Sequence, residues 1–139
     1  MSFTIEELQP GMSAQFTKTV TERDITLFGE VSGDTNPVHF DEAFAATTPF
    51  RGRIAHGVLT ASYISTVLGM QMPGPGTIFL GLTIRFKAPV RIGDSVTATC
   101  TVREVFPEKR RVIFDCTCKA GDTVVIEGEA TVMPPARQS

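Results

Sequence analysis

The chain has 139 residues, 42% of them hydrophobic and 20% charged, with a formal net charge of −2 at pH 7. That length reads as one domain over residues 1–139 with a single apolar core, and the near-neutral charge leaves no footprint for nucleic acid. No stretch is long and apolar enough to span a bilayer, and the N-terminus carries no basic, apolar, small-residue leader, so the cytoplasm is the expected compartment. The three cysteines, Cys100, Cys116 and Cys118, are an odd number and read as reduced packing thiols. Cys-x-Cys with both histidines far away in sequence lacks the usual four-ligand zinc pattern, so no metal is expected. Neither a Gly-x-Gly-x-x-Gly nor a Gly-Lys-Ser/Thr loop is present, which leaves dinucleotide and ATP phosphate sites without a cradle.

In chain order, Ser13 to Val20 predicts a strand. Thr21 is placed to cap a helix, with Asp24 completing a capping-box pattern and Ile25, Phe28 and Val31 forming the apolar stripe. That helix delivers the segment Gly33-Asp34-Thr35-Asn36-Pro37-Val38-His39. Gly33 permits a left-handed turn, and Pro37 sets its own φ and drives Asn36 to an extended conformation, which predicts a stiff, non-helical loop. Asp41 then caps a short helix over Glu42 to Ala46, and residues 47–56 form a loop rich in Pro, Gly and Arg. From Gly57 to about Met72, apolar residues recur at intervals of three and four, as a buried helix requires.

After the turn residues Pro73-Gly74-Pro75-Gly76, strict alternation sets in. Ile78, Leu80, Leu82, Ile84, Phe86, Ala88 and Val90 share one face of a long strand. Turns at Arg91 to Asp94, Pro107-Glu108 and Ala120 to Asp122 separate three further strands. Their apolar face comprises Val96, Ala98, Cys100 and Val102, then Val112, Phe114, Cys116 and Cys118, then Val124, Ile126, Ala130 and Val132. A mostly antiparallel sheet with one apolar face needs a cover, and only the 57–72 helix is long and apolar enough to supply it. The class is α+β.

Two segments carry chemistry. The 33–39 loop holds a carboxylate, Asp34, and an imidazole, His39, on a rigid backbone, which suits a single water held between two proton acceptors. Asp, Asn, Gly and Pro also build ordinary Asx turns; the histidine, one of only two in the chain, sets this loop apart. The second segment is His56-Gly57. The first N–H groups of a helix lack internal partners and carry the positive end of its dipole, so Gly57 offers an unobstructed donor to an oxyanion. Close packing at the helix start also explains a glycine there, and His56 is expected to cap or pack.

These residues resemble the MaoC-like dehydratase family, and within it the (R)-specific enoyl-CoA hydratases and (R)-3-hydroxybutyryl-CoA dehydratases. The signature runs from Phe28 through Gly29-Glu30-Val31-Ser32-Gly33-Asp34-Thr35-Asn36-Pro37-Val38-His39 to Ala45. The His56-Gly57 helix start with Ser65 two turns on forms the second block, and the likeness spans roughly Glu6 to Pro134. The resemblance implies a hot-dog fold, a sheet wrapped around a central helix, and reversible hydration of trans-2-enoyl-CoA with coenzyme A as part of the substrate and no other cofactor. It also implies that Asp34 and His39 are the catalytic pair, that the Gly57 amide is the oxyanion donor, and that Ser65 shapes the site of a homodimer. Asn36 orients the loop or the water. Leu68, one turn beyond Ser65, is placed to floor the acyl pocket and favour short chains, or else packs against the sheet.

Two other classes share the pattern. A hot-dog thioesterase would direct water at the carbonyl carbon and release coenzyme A, and a noncatalytic acyl-CoA binding module would do neither chemistry. Arg51, Arg53, Arg85, Lys87 and Arg91 are either solvated surface or phosphate contacts. Polyester precursor supply, fatty-acid breakdown and short-chain assimilation all use the same hydration.

Overall fold

In a computed structural model that describes residues 1–137, the chain begins with β1 (Ser13–Thr19) and α1 (Glu22–Ser32). The capping box forms: the Asp24 N–H donates to Thr21 Oγ1 at 3.1 Å and the Thr21 N–H donates to Asp24 Oδ2 at 3.0 Å. The apolar stripe of α1 is narrower than its sequence suggests. Ile25 is buried and Phe28 packs against the core, but Val31 is 83% exposed, because it lies roughly 120° round the helix from Ile25.

Gly33 ends α1 in the left-handed region, φ 78°, the conformation that a side chain disfavours. The segment beyond it is not the non-helical loop expected. Residues Pro37–Phe40 form a single helical turn, α2, with His39 inside it. Proline at the first helical position has its φ preset and loses no hydrogen bond by lacking an N–H, while Asn36 stays outside the helix at φ −51°, ψ 125° and caps it. Asp41 caps α3 (Glu42–Ala45) through the Phe44 N–H at 3.0 Å.

The long helix α4 (Gly57–Met70) buries Leu59, Ala61, Tyr63, Ile64, Val67 and Leu68. It lies across an antiparallel sheet of β2 (Ile78–Phe86), β3 (Ser95–Phe106), β4 (Arg111–Ala120) and β5 (Thr123–Met133) together with β1, in the order β1-β3-β4-β5-β2. The core sits between them. The inward residues of β3 and β4 are those the alternation predicts, with the free thiols of Cys100, Cys116 and Cys118 all buried.

The register shifts at three places; one, between Val102 and Glu104, lies beyond the predicted apolar face of β3, and the predicted alternation fails at the other two. Leu80 is unpaired between Phe79↔Val132 and Gly81↔Thr131, which resets the face by one residue. Phe79 therefore joins Leu82, Ile84 and Phe86 on the inner side, and Ile78, paired with Met133, turns outward. A second break opposite Cys118 and Lys119 leaves Val125 unpaired. Val125 and Ile126 are then both buried, and Val124 is only half-buried. Strand β2 ends at Phe86 rather than continuing to Val90. It forms one edge of the sheet, and Ile78, Phe79, Leu80, Leu82 and Phe86 are exposed along it. Among the described residues, no helix is long and apolar enough to cross a membrane.

Candidate active site

The end of α1, the single turn of α2 and the start of α4 converge on one point. Asp34 is exposed there, with its backbone held from both sides. Its N–H donates to Ser32 Oγ at 3.1 Å, and its carboxylate accepts the Asn36 N–H at 3.2 Å. Asn36 in turn accepts the Val38 N–H through Oδ1 at 3.1 Å. The amide side chain thus serves the loop that carries Asp34 and His39, a helix cap rather than a group turned toward a reactant.

His39 is 8% exposed. Its Nδ1 lies 2.8 Å from the Ile54 carbonyl, and because a carbonyl only accepts, Nδ1 carries the proton and Nε2 keeps a free lone pair in the neutral ring. Burial pushes the imidazole below its ordinary value, the bond to Ile54 opposes that shift, and His56 and Arg53 add to it while Asp34 counters. A neutral histidine with Nε2 open is a proton acceptor. Its backbone is anchored as well, since Arg53 Nε donates to the His39 carbonyl at 2.7 Å while the Arg53 guanidinium pairs with Glu22 at 2.8 Å.

Gly57 opens α4. The residue before it, His56, makes no side-chain cap, so the first N–H groups of the helix keep their donors free of a capping side chain. A Cβ on Gly57 would lie 2.6 Å from Phe86 Cε1. Close packing against Phe86 is thus one reason for this glycine, and no capping side chain covers its amide. Beside it a cavity of about 390 Å³ is lined mainly by apolar groups, among them Phe50, Ile54, Val58, Phe86 and Ile126.

Ser65 and Leu68 are not brought to that cavity. Ser65 is exposed on the outer strip of α4 with Val58 and Ser62. Leu68, 1% exposed, is part of the core cluster. The arginines divide. Arg91 donates to the carbonyls of Gly52 and Arg53 at 3.1 and 3.3 Å, and to that of Phe50. With Arg53 it straps the 47–56 loop, whereas Arg51, Arg85 and Lys87 remain exposed.

His56 packs, one of the two roles expected of it, but sequence reasoning did not place it against Asp34 and His39. It is 2% exposed, its ring centroid lies 3.9 Å from that of His39 at an interplanar angle of 30°, and its Nε2 lies 2.9 Å from the Asp34 carbonyl. Its position directly before Gly57 was the available signal. Asp34, His39 and His56 bring potential ligand atoms within 4.8 Å of one another. The two rings, however, lie face to face at 3.9 Å, whereas metal ligation needs in-plane lone pairs that converge.

A sheet wrapped on one helix, with an acid and a neutral histidine at the helix start, is an arrangement able to accept a proton and return it. The chain belongs to the MaoC-like domain family, whose model matches residues 6–131. It is 56% identical to the (R)-specific enoyl-CoA hydratase of Rhodospirillum rubrum over 95% of this chain and 92% of that one. It is 47% identical to the 3-hydroxybutyryl-CoA dehydratase of Methylorubrum extorquens, over 96% and 85% respectively. Among solved structures, an unliganded R-hydratase of Pseudomonas aeruginosa superposes with a TM-score of 0.91 at 44% identity, covering 98% of this chain and 88% of that one. The hot-dog fold implied by the signature residues is the fold observed.

Proposed function

We propose that the protein is an (R)-specific enoyl-CoA hydratase, a hydro-lyase that adds water to trans-2-enoyl-CoA to give (R)-3-hydroxyacyl-CoA and catalyses the reverse dehydration. The observation that carries this reading is the Asp34 carboxylate beside a neutral His39 with Nε2 open, at the N-terminus of α4. The identity to hydratases and dehydratases of CoA thioesters supports the substrate class and the stereochemistry.

In the hydration direction, Asp34 and His39 hold one water. Its oxygen bonds to C3 as the C2=C3 π electrons shift toward the thioester, whose oxygen becomes an enolate at the Gly57 N–H. The pair accepts the proton released by the water and returns it to C2, so that OH and H are both added and the pair regains its starting state. The two groups are coupled and act as a unit. Burial keeps His39 neutral and ready to accept. The apolar cavity beside Gly57 receives the chain that adjoins the carbonyl and excludes water from it. This chemistry requires no cofactor beyond the coenzyme A that is part of the substrate.

The working form is a homodimer in this reading. Strand β2 is an unpaired edge carrying exposed Ile78, Leu80 and Leu82, and an apolar edge of that kind is ordinarily covered or paired. Pairing with a second copy buries it. Ser65, on the exposed strip of α4, would then meet the site through that second copy. Light scattering at assay concentration should give a dimer mass; a fully active monomer would contradict this part.

Crotonyl-CoA tests the reaction. Loss of the enoyl-thioester absorbance with coenzyme A still bound to the acyl group marks a hydratase. Release of free thiol marks a thioesterase, and neither change marks a binding module.

A further inference from the structure

We infer that His56 is the positioning residue of the Asp34–His39 pair, an imidazole that sets Asp34 through its backbone carbonyl and His39 through its ring face, and that it takes no part in the proton transfer. The inference rests on Asp34 and His39 being the acid–base pair.

The position of His56 is unusual for its residue type. It is the N-cap of α4 at φ −60°, ψ 128° and makes no side-chain cap bond, although that position normally favours Ser, Thr, Asp or Asn for such a bond. Its side chain is turned instead toward Asp34, where Nε2 lies 2.9 Å from the backbone carbonyl. The carbonyl can only accept, so Nε2 carries the hydrogen. Nδ1 is buried and has no hydrogen-bond partner among the described residues. With Nε2 committed to the carbonyl and Nδ1 without a partner, the ring has no protein group to which it could relay a proton.

The ring is also clamped. Its centroid lies 3.9 Å from His39, 4.8 Å from Phe28 and 5.6 Å from Phe40. Phe40 is seated on α1, where a Cβ on Gly29 would come within 2.6 Å of Phe40 Cζ. Three elements thus meet on one imidazole: α1 through Phe28, α2 through His39 and Phe40, and α4 through its own cap position. A reacting pair needs both members in register within a fraction of an ångström. His56 touches both, one by a hydrogen bond and one by its face.

The test compares His56→Phe, which keeps a flat ring but loses the donor, with His56→Gln, which keeps a donor near the Nε2 position but loses the ring. Asp34→Asn is run as the reference, with crotonyl-CoA as substrate and a thermal melt of each variant. His56→Phe should lower kcat about 100-fold, the effect typical of a misplaced catalytic group, with KM changed less than about threefold. His56→Gln should recover roughly tenfold of that loss. In both, the acid limb of the kcat/KM profile persists, because His39 is still present. The other groups facing His39 are Asp34, Arg53 and the Ile54 carbonyl, and none is altered in these variants.

Three results would overturn the inference: His56→Phe at wild-type kcat, His56→Gln no better than His56→Phe, or loss of the acid limb in both, which would make His56 a proton carrier. If His56→Phe does not fold, His56→Gln decides alone. Turnover within tenfold of wild type with the acid limb kept supports positioning, and a loss as complete as that of Asp34→Asn refutes it. An active Asp34→Asn would instead remove the pair itself, a separate failure.

Discussion

Gly57→Ala separates the two duties of that glycine. The added Cβ would lie 2.6 Å from Phe86 Cε1 and 2.8 Å from Cδ1, closer than carbon atoms approach, so the ring must move. Phe86 is the last residue of an edge strand and 54% exposed in the single chain, which gives its ring room to swing outward. The contact should cost about 1–3 kcal/mol, as for other overpacked sites. Replacing glycine by alanine in a helix returns up to about 1 kcal/mol of that. The net loss of stability is then about 0–3 kcal/mol, a fall in Tm of no more than roughly 12 °C. Catalysis should suffer more. The N–H survives, but the methyl group and the displaced ring occupy the approach to it, and loss of one oxyanion donor costs about 3 kcal/mol, a hundredfold or more in kcat. Steady-state hydration of crotonyl-CoA and a thermal melt on the same preparation give both numbers. Adding Phe86→Ala should restore the melt and part of the rate. A Gly57→Ala variant that hydrates crotonyl-CoA at the wild-type rate would take the Gly57 amide out of the reaction. A rate that falls only in step with a collapse of the melt would reduce Gly57 to a packing residue.

Asp34→Asn and His39→Ala should each abolish nearly all turnover with the melt preserved, and the double variant should be no slower than the worse single one; losses that multiply would refute a shared water. Because burial, the first cause, holds His39 below the ordinary 6.5, the unfolded chain takes up its proton first as pH falls. The contribution of His39 to stability is therefore complete above that value, declines as pH drops through it and levels off below the folded value. Urea titrations against pH should show this loss, and an acid limb of kcat/KM centred at or above 6.5 would contradict it. Leu68→Ala should cost about 2–5 kcal/mol in chemical denaturation, as for a fully buried leucine, and leave the ratio of activity on crotonyl-CoA and 2-hexenoyl-CoA unchanged. A several-fold gain on the longer chain would return Leu68 to the pocket.

The elements were legible in the sequence because their causes are local. A threonine and an aspartate three residues apart close a capping box wherever the helix goes, and Gly33 takes φ 78° where α1 ends. Alternation on β3 and β4 needs only the period of a strand to sort inward from outward. Asp34, His39 and Gly57 were legible as candidates because a carboxylate and a histidine on a proline-stiffened segment, and a glycine at a helix start, carry a chemical suggestion in residue type and spacing.

The tertiary structure decided everything that depends on a partner remote in the chain. The bulges at Leu80 and Val125 are properties of how two strands pair, and no single strand encodes which residue is left unpaired. Leu68 and Ser65 share a helix with Gly57, but the sheet claims the face of one and leaves the other on the outside. Arg53 and Arg91 read as solvated surface or phosphate contacts until folding supplied the carbonyls they bind. His56 became part of the site only when α1, α2 and α4 closed on a single ring. A buried hydrogen bond and a stacked ring are relations between distant residues, and distances of that kind exist only once the chain has packed.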